Sequence, residues 1–273
     1  MLGSCLEKVR AASPLVHNIT NYVTVNDVAN AILAVGGSPI MSDDGGEVEE
    51  ITSICAALNI NIGTLNQTTV PSMFLAGRKA AALGHPVLLD PVGAGASRLR
   101  TETAVRLADE IPFAVIRGNS SEIKTLASGS GGTRGVDADM EDAVTEESLD
   151  SAAAFVKEFA ARRRCVVAVT GAIDLVADAE RCFVIRNGRA EMGRITGTGC
   201  QLSGIIAAFL AANPGGYLNA CAAAVAAMGL AGEIAWKRMA VGDGNSTYRN
   251  RIIDALFTMT GSVLDGGARY EVR

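Results

Sequence analysis

Short β-rich runs bounded by turn residues alternate along this chain with helical stretches of ten or more residues, and few folds accept that rhythm. The runs are Leu15 to Ile19, Ser38 to Met41, Ile60 to Gly63, Pro86 to Val92, Phe113 to Arg117 and Cys165 to Thr170. Parallel strands need a long crossover between them, and a helix supplies it, so the alternation predicts βαβ units. The expected fold class is α/β, with a mainly parallel central sheet flanked by helices on both faces. At 273 residues, 49% of them hydrophobic, the chain is long enough to bury such a core. The stretch from Ser128 to Glu147, rich in Gly, Asp, Glu and Ser, reads as a mobile surface loop. The rhythm resumes after it with a helix over Leu149 to Arg162, so residues 1–273 read as a single domain. A hairpin is expected over Asp174 to Arg189, turning at Asn187-Gly188.

Charge and cysteine usage narrow the function classes. A formal net charge of −5 argues against nucleic-acid binding, which draws on clustered Lys and Arg. The one dense basic cluster, Arg162-Arg163-Arg164, suits a helix C-terminus that complements the helix dipole. Six cysteines lie far apart without a CxxC pair, as expected of reduced thiols in a cytoplasmic protein. The first ten residues lack the apolar core of a signal peptide, and the alanine-rich run Cys221 to Ala231 soon meets Glu233 and Lys237. No membrane partner is expected, and that run reads as a packed helix. The apolar composition hints at oligomerisation.

In such folds ligands bind at the carboxyl ends of the strands, and polar residues gather there: His17, Asn18 and Asn21, then Met41 to Asp44, Asn66, Asp90 to Gly95, Arg117 to Asn119, and Thr170-Gly171. Neither a GxxxxGK[ST] phosphate loop nor a GxGxxG after the first strand is present, so an anion must be held elsewhere. Gly197-Thr198-Gly199-Cys200 opens a long apolar helix, and unpaired N–H groups at a glycine-rich helix start face an anion well. Cys200 in that electropositive turn reads as a base or nucleophile whose ionised form is favoured, or as a small buried residue in a plain helix entry. Asp90 and Glu122 suit Mg²⁺ with phosphates and water; each also has a structural reading, as a turn cap and as a first-turn helix residue.

The segments Val16-His17-Asn18-Ile19-Thr20-Asn21-Tyr22-Val23, Ser38-Pro39-Ile40-Met41, Leu89 to Gly95, Ile116 to Glu122, Val169-Thr170-Gly171 and Thr196 to Cys200 occur in one order across nearly the whole chain. Together they resemble the hydroxyethylthiazole kinase family of the ribokinase-like superfamily. The resemblance implies a ribokinase-like three-layer fold and ATP-dependent phosphorylation of 5-(2-hydroxyethyl)-4-methylthiazole in thiamine salvage. It implies that Met41 and Gly197 contact the thiazole with Asn21 nearby, and that Arg117 and Thr170 contact ATP. It implies further that Asp90 and Glu122 organise Mg²⁺, that Gly197, Thr198, Gly199 and Cys200 form the anion hole, and that the protein is a homotrimer with active sites between subunits. Related sugar kinases carry an aspartate where Cys200 stands, and Cys200 is expected to be a helpful but imperfect base.

Overall fold

The structure, a computed structural model, describes residues 1–129 and 144–273. In chain order its elements are α1 (Gly3–Ala12), β1 (Leu15–Ile19), α2 (Val25–Val35), β2 (Ser38–Met41), α3 (Val48–Ile54), β3 (Ala57–Asn61), α4 (Thr69–Leu83), β4 (Val87–Asp90), α5 (Arg98–Glu110), β5 (Val115–Gly118), α6 (Ser120–Ser128), α7 (Leu149–Arg163), β6 (Val166–Val169), β7 (Asp174–Ala177), β8 (Cys182–Ile185), α8 (Thr198–Ala212), α9 (Tyr217–Lys237), α10 (Asn245–Thr258), α11 (Gly261–Gly267) and β9 (Tyr270–Val272). The strands form one sheet in the order β2-β1-β3-β4-β5-β6-β7-β8-β9. Pairings from β2 through β6 are parallel, and β7, β8 and β9 continue antiparallel.

Strand alternation divides the interior in two. Val16, Ala57, Leu88 and Val115 point to the face packed by α1, α2, α8, α9 and α10. Their neighbours Leu58, Leu89 and Ile116 point to the opposite face, beneath α4, α5, α6 and α7. The expected three-layer α/β arrangement therefore stands, and five of its six expected strands lie within two residues of their predicted bounds. The third begins earlier, at Ala57 rather than Ile60. Asn59 and Asn61 look like turn residues in isolation, yet both are buried and paired within the sheet.

The hairpin forms, but not with the expected turn. Its chain reversal lies between β7 and β8, where the Asp178 carboxylate accepts the N–H groups of Glu180 and Arg181 at 2.9 and 2.7 Å. Asn187 and Gly188 lie beyond β8 and donate to the Glu233 carboxylate of α9 at 3.1 and 2.8 Å. The predicted loop from Ser128 to Glu147 falls for the most part on residues 130–143, outside the described residues. Helix α7 ends as its basic cluster suggests, with Arg162 and Arg163 in the last turn and Arg164 left-handed at the cap. Helix α9 is longer than expected, with the length and composition to cross a membrane, but most of its apolar stretch is buried inside the fold.

Candidate active site

Parallel strands deliver their carboxyl ends to one rim, and register sets which side chains meet there. Asn61 and Asp90 are direct partners on β3 and β4. Counting by twos from Ala57, Leu88 and Val115 puts Asn61, Asp90 and Arg117 on the face covered by α8. Helix α8 packs on that face with its first residues at the rim.

Gly197 begins the helix in a left-handed conformation, at φ +85°, with no side-chain cap. A Cβ there would stand 2.3 Å from Thr24 Cγ2, so only glycine fits on both counts. The first helical hydrogen bond runs from the Gln201 N–H to the Gly197 carbonyl, leaving the N–H groups of Thr198, Gly199 and Cys200 without helical acceptors. A Cβ on Gly199 would stand 2.6 Å from both terminal nitrogens of Arg117, so the guanidinium lies directly across this turn. Arg117 also donates to the Thr170 hydroxyl at 2.6 Å and faces Asp90 at 3.5 Å, while its buried Nε has no partner. Arg117, Asn119, Thr170, Thr198 and Gly199 line one wall of a cleft of about 700 Å³.

Asp90 is fully buried at the end of β4. One oxygen accepts from the Asn61 amide at 2.7 Å and from the Ser203 hydroxyl at 2.8 Å. Burial pushes its carboxyl up to about 6 despite the opposing pull of Arg117. Cys200 lies close by, its sulfur accepting from the amides of Asn21 at 3.2 Å and Asn61 at 3.3 Å. The expectation of a favoured thiolate is overturned: burial raises the thiol, and the charge of Asp90 raises it further. Hydrogen bonds from Thr24, Asn61 and Asn21 oppose that rise without cancelling it. Desolvation beside a carboxylate outweighs the partial charge of a helix start.

Glu122 takes the structural role open to it in the sequence. It forms a capping box with Asn119 at the start of α6, and its other oxygen accepts the Gly93 N–H at 2.8 Å. That contact brings it against the loop after Asp90, close enough to raise the Asp90 carboxyl. His17 is buried away from this cluster, with Nε2 on the Ser42 carbonyl and Nδ1 on the Thr52 hydroxyl, both at 2.9 Å. Burial lowers its imidazole, and it fixes the loop after β2.

The fold therefore brings Asn21, Asp90, Arg117, Thr170, Gly199 and Cys200 together and places Glu122 beside them. Met41 stands apart, half-buried at the end of edge strand β2. With β1 and β3 intervening, it lies three strand spacings from β4, roughly 14 Å across the sheet. Asn61 and Ser203 were not singled out from the sequence, and two asparagines at alternate positions of an apolar strand were the available signal for the first.

The model of the "Hydroxyethylthiazole kinase family" matches residues 6–262. A hydroxyethylthiazole kinase from Clostridium acetobutylicum is 57% identical over 271 residues, covering 99% of each chain. The chain belongs to the hydroxyethylthiazole kinase family. A hydroxyethylthiazole kinase structure from Pyrococcus horikoshii superposes with this family member at a TM-score of 0.88 and 34% identity, covering 100% of this chain and 98% of that one. A ribokinase-like superfamily protein from Enterococcus faecalis superposes at a TM-score of 0.61 and 13% identity, covering 92% and 88%, and shows the ribokinase-like fold alone.

Proposed function

We propose that this chain transfers the γ-phosphoryl group of ATP to the primary hydroxyl of 5-(2-hydroxyethyl)-4-methylthiazole, in thiamine salvage and biosynthesis. One observation carries the reading: the uncapped start of α8 lies beneath the Arg117 guanidinium, whose buried Nε lacks a partner, at the wall of a large cleft. A buried N–H without an acceptor costs about 1–3 kcal/mol, and a phosphate oxygen would remove that cost. Arg117 and Thr170 bind ATP, and the amides of residues 197–200 receive the group in flight. Gly197 and Asn21 hold the alcohol, and Met41, which stands apart from them within one chain, contributes from a neighbouring subunit of the trimer. Cys200 takes the hydroxyl proton in its minor thiolate form, a scarcity that a loose transition state tolerates because that proton leaves late.

The donor set suits Mg²⁺. One Asp90 oxygen has Arg117 at 3.5 Å as its nearest polar partner, and each Glu122 oxygen accepts a backbone N–H while keeping capacity for a second donor or a water. Among the described residues no group of three or more His, Cys, Asp and Glu could hold a metal alone, so phosphate and water would complete the set. When bound, the ion supplies charge neutralisation at the phosphates.

The chain works as one domain, in the cytoplasm, where its six unpaired cysteines stay reduced. It assembles as a homotrimer with sites between subunits, a reading supported by exposed Tyr22 and Val23 directly after Asn21. ADP release tests the activity: Mg-ATP with the thiazole alcohol gives turnover, while a hydroxymethylpyrimidine and ribose give little. Equal rates with all three, or release independent of any alcohol, would overturn the assignment. Light scattering at micromolar concentration tests the trimer.

A further inference from the structure

Asn61 has all four of its hydrogen-bonding positions occupied, and two of its partners are chemical groups of the site. Its amide nitrogen donates to Asp90 Oδ2 at 2.7 Å and to Cys200 Sγ at 3.3 Å. Its carbonyl oxygen accepts the Gly63 N–H at 2.9 Å and the Asn21 amide at 3.0 Å. The Gly63 backbone group can only donate, so the Asn61 amide cannot turn over, and its two N–H groups must face the sulfur and the carboxylate. A Cβ at position 63 would stand 2.9 Å from that carbonyl oxygen and 3.0 Å from Asn21 Cβ, so a bare backbone is what lets this anchor approach.

We propose that Asn61 is a positioning residue that locks the sulfur of Cys200 and the carboxylate of Asp90 into one arrangement for phosphoryl transfer. Asp90 is carried by a strand and Cys200 by a helix. Packing between such elements tolerates small slides, whereas the planar amide fork ties the two groups to one rigid unit. That accuracy matters because a displacement of about 1 Å costs on the order of a hundredfold in rate. Ser203 steadies the same Asp90 oxygen, and Asn21 the same sulfur, but neither bridges both groups.

This inference rests on the kinase reading, and its test separates the two. In a cycle of wild type, Asn61→Leu, Cys200→Ala and the double variant, Asn61→Leu should lower kcat about tenfold to a hundredfold with each KM within about twofold. In the Cys200→Ala background the same change should cost only about threefold. Losses that multiply in the double variant, or that appear in KM, would overturn the proposal. Asn61→Ala, which also loses both donors and adds neither bulk nor charge, should reproduce the kcat loss and serves if the leucine variant does not fold. Wild-type kcat in Asn61→Ala would also overturn it. Alkylation of Cys200 by iodoacetamide, followed by peptide mass, needs no turnover. Both variants should slow it by about threefold or more, as a donor to the sulfur is lost. An unchanged rate counts against Asn61, whereas an inactive wild type with slowed alkylation in the variants counts against the kinase reading alone.

Discussion

Helices α6 and α8 both begin at the rim of the sheet, but they begin differently. At α6 the Asn119 side chain accepts the Glu122 N–H while Glu122 accepts the Asn119 N–H, so the chain closes its own helix start. At α8 a left-handed glycine without a side-chain cap leaves three N–H groups open beneath an arginine. A helix start satisfied by its own side chains supports the fold, and one left unsatisfied at a cleft is available to a ligand. Glycine-rich composition marks the second kind only when the tertiary neighbours keep it open.

Substitution at Gly199 should break this contrast most severely. A methyl group there meets the far end of the Arg117 side chain, which can swing away, so Gly199→Ala should fold while losing about a hundredfold or more in kcat. Circular dichroism beside ADP-release kinetics checks both halves. Cys200→Ala should lower kcat by roughly tenfold to a hundredfold, whereas Cys200→Asp should retain turnover, because the Asn21 and Asn61 amides can donate to a carboxylate in its place. An inactive, folded Cys200→Asp variant would argue against a base at this position.

The pH profile sharpens the comparison next. Asp90 is raised from 3.8 to about 6 by burial, so the folded protein binds a proton there more tightly than the unfolded chain. Its contribution favours the fold below pH 4 and is lost as pH climbs towards 6, a difference of roughly 3 kcal/mol. Activity runs the other way, since the ionised carboxylate is needed, and kcat/KM, which follows the free enzyme, should fall as pH drops below about 6. Urea midpoints across pH 4 to 7 test the first statement, and Asp90→Asn should flatten that slope. The smallest effect belongs to α6: Asn119→Ala should cost about 1 kcal/mol of stability and change kcat by less than about threefold. A larger catalytic loss would mean that the capped helix start also serves the ligand.

Much of the rim was readable from the chain. Asp90, Arg117 and Thr170 stand where turn signals end apolar runs, and parallel strands carry such residues to the same edge, while Cys200 stands where a glycine-rich turn opens a helix. Asn61 escaped because asparagine ordinarily marks a turn, and its burial depends on β1 and β4 flanking it. Asn187-Gly188 misled for the converse reason: a strong local turn signal was taken up by Glu233, a distant partner on α9.

The sequence by itself determined the α/β layering and the identity of the residues at the strand ends, because periodicity and turn chemistry are local properties. Tertiary structure decided the protonation of the site. A helix start in isolation favours a thiolate at Cys200, yet burial and the nearby Asp90 charge raise that thiol. Desolvation and through-space charge depend on what the rest of the chain places around a group, and no spacing along the sequence encodes them.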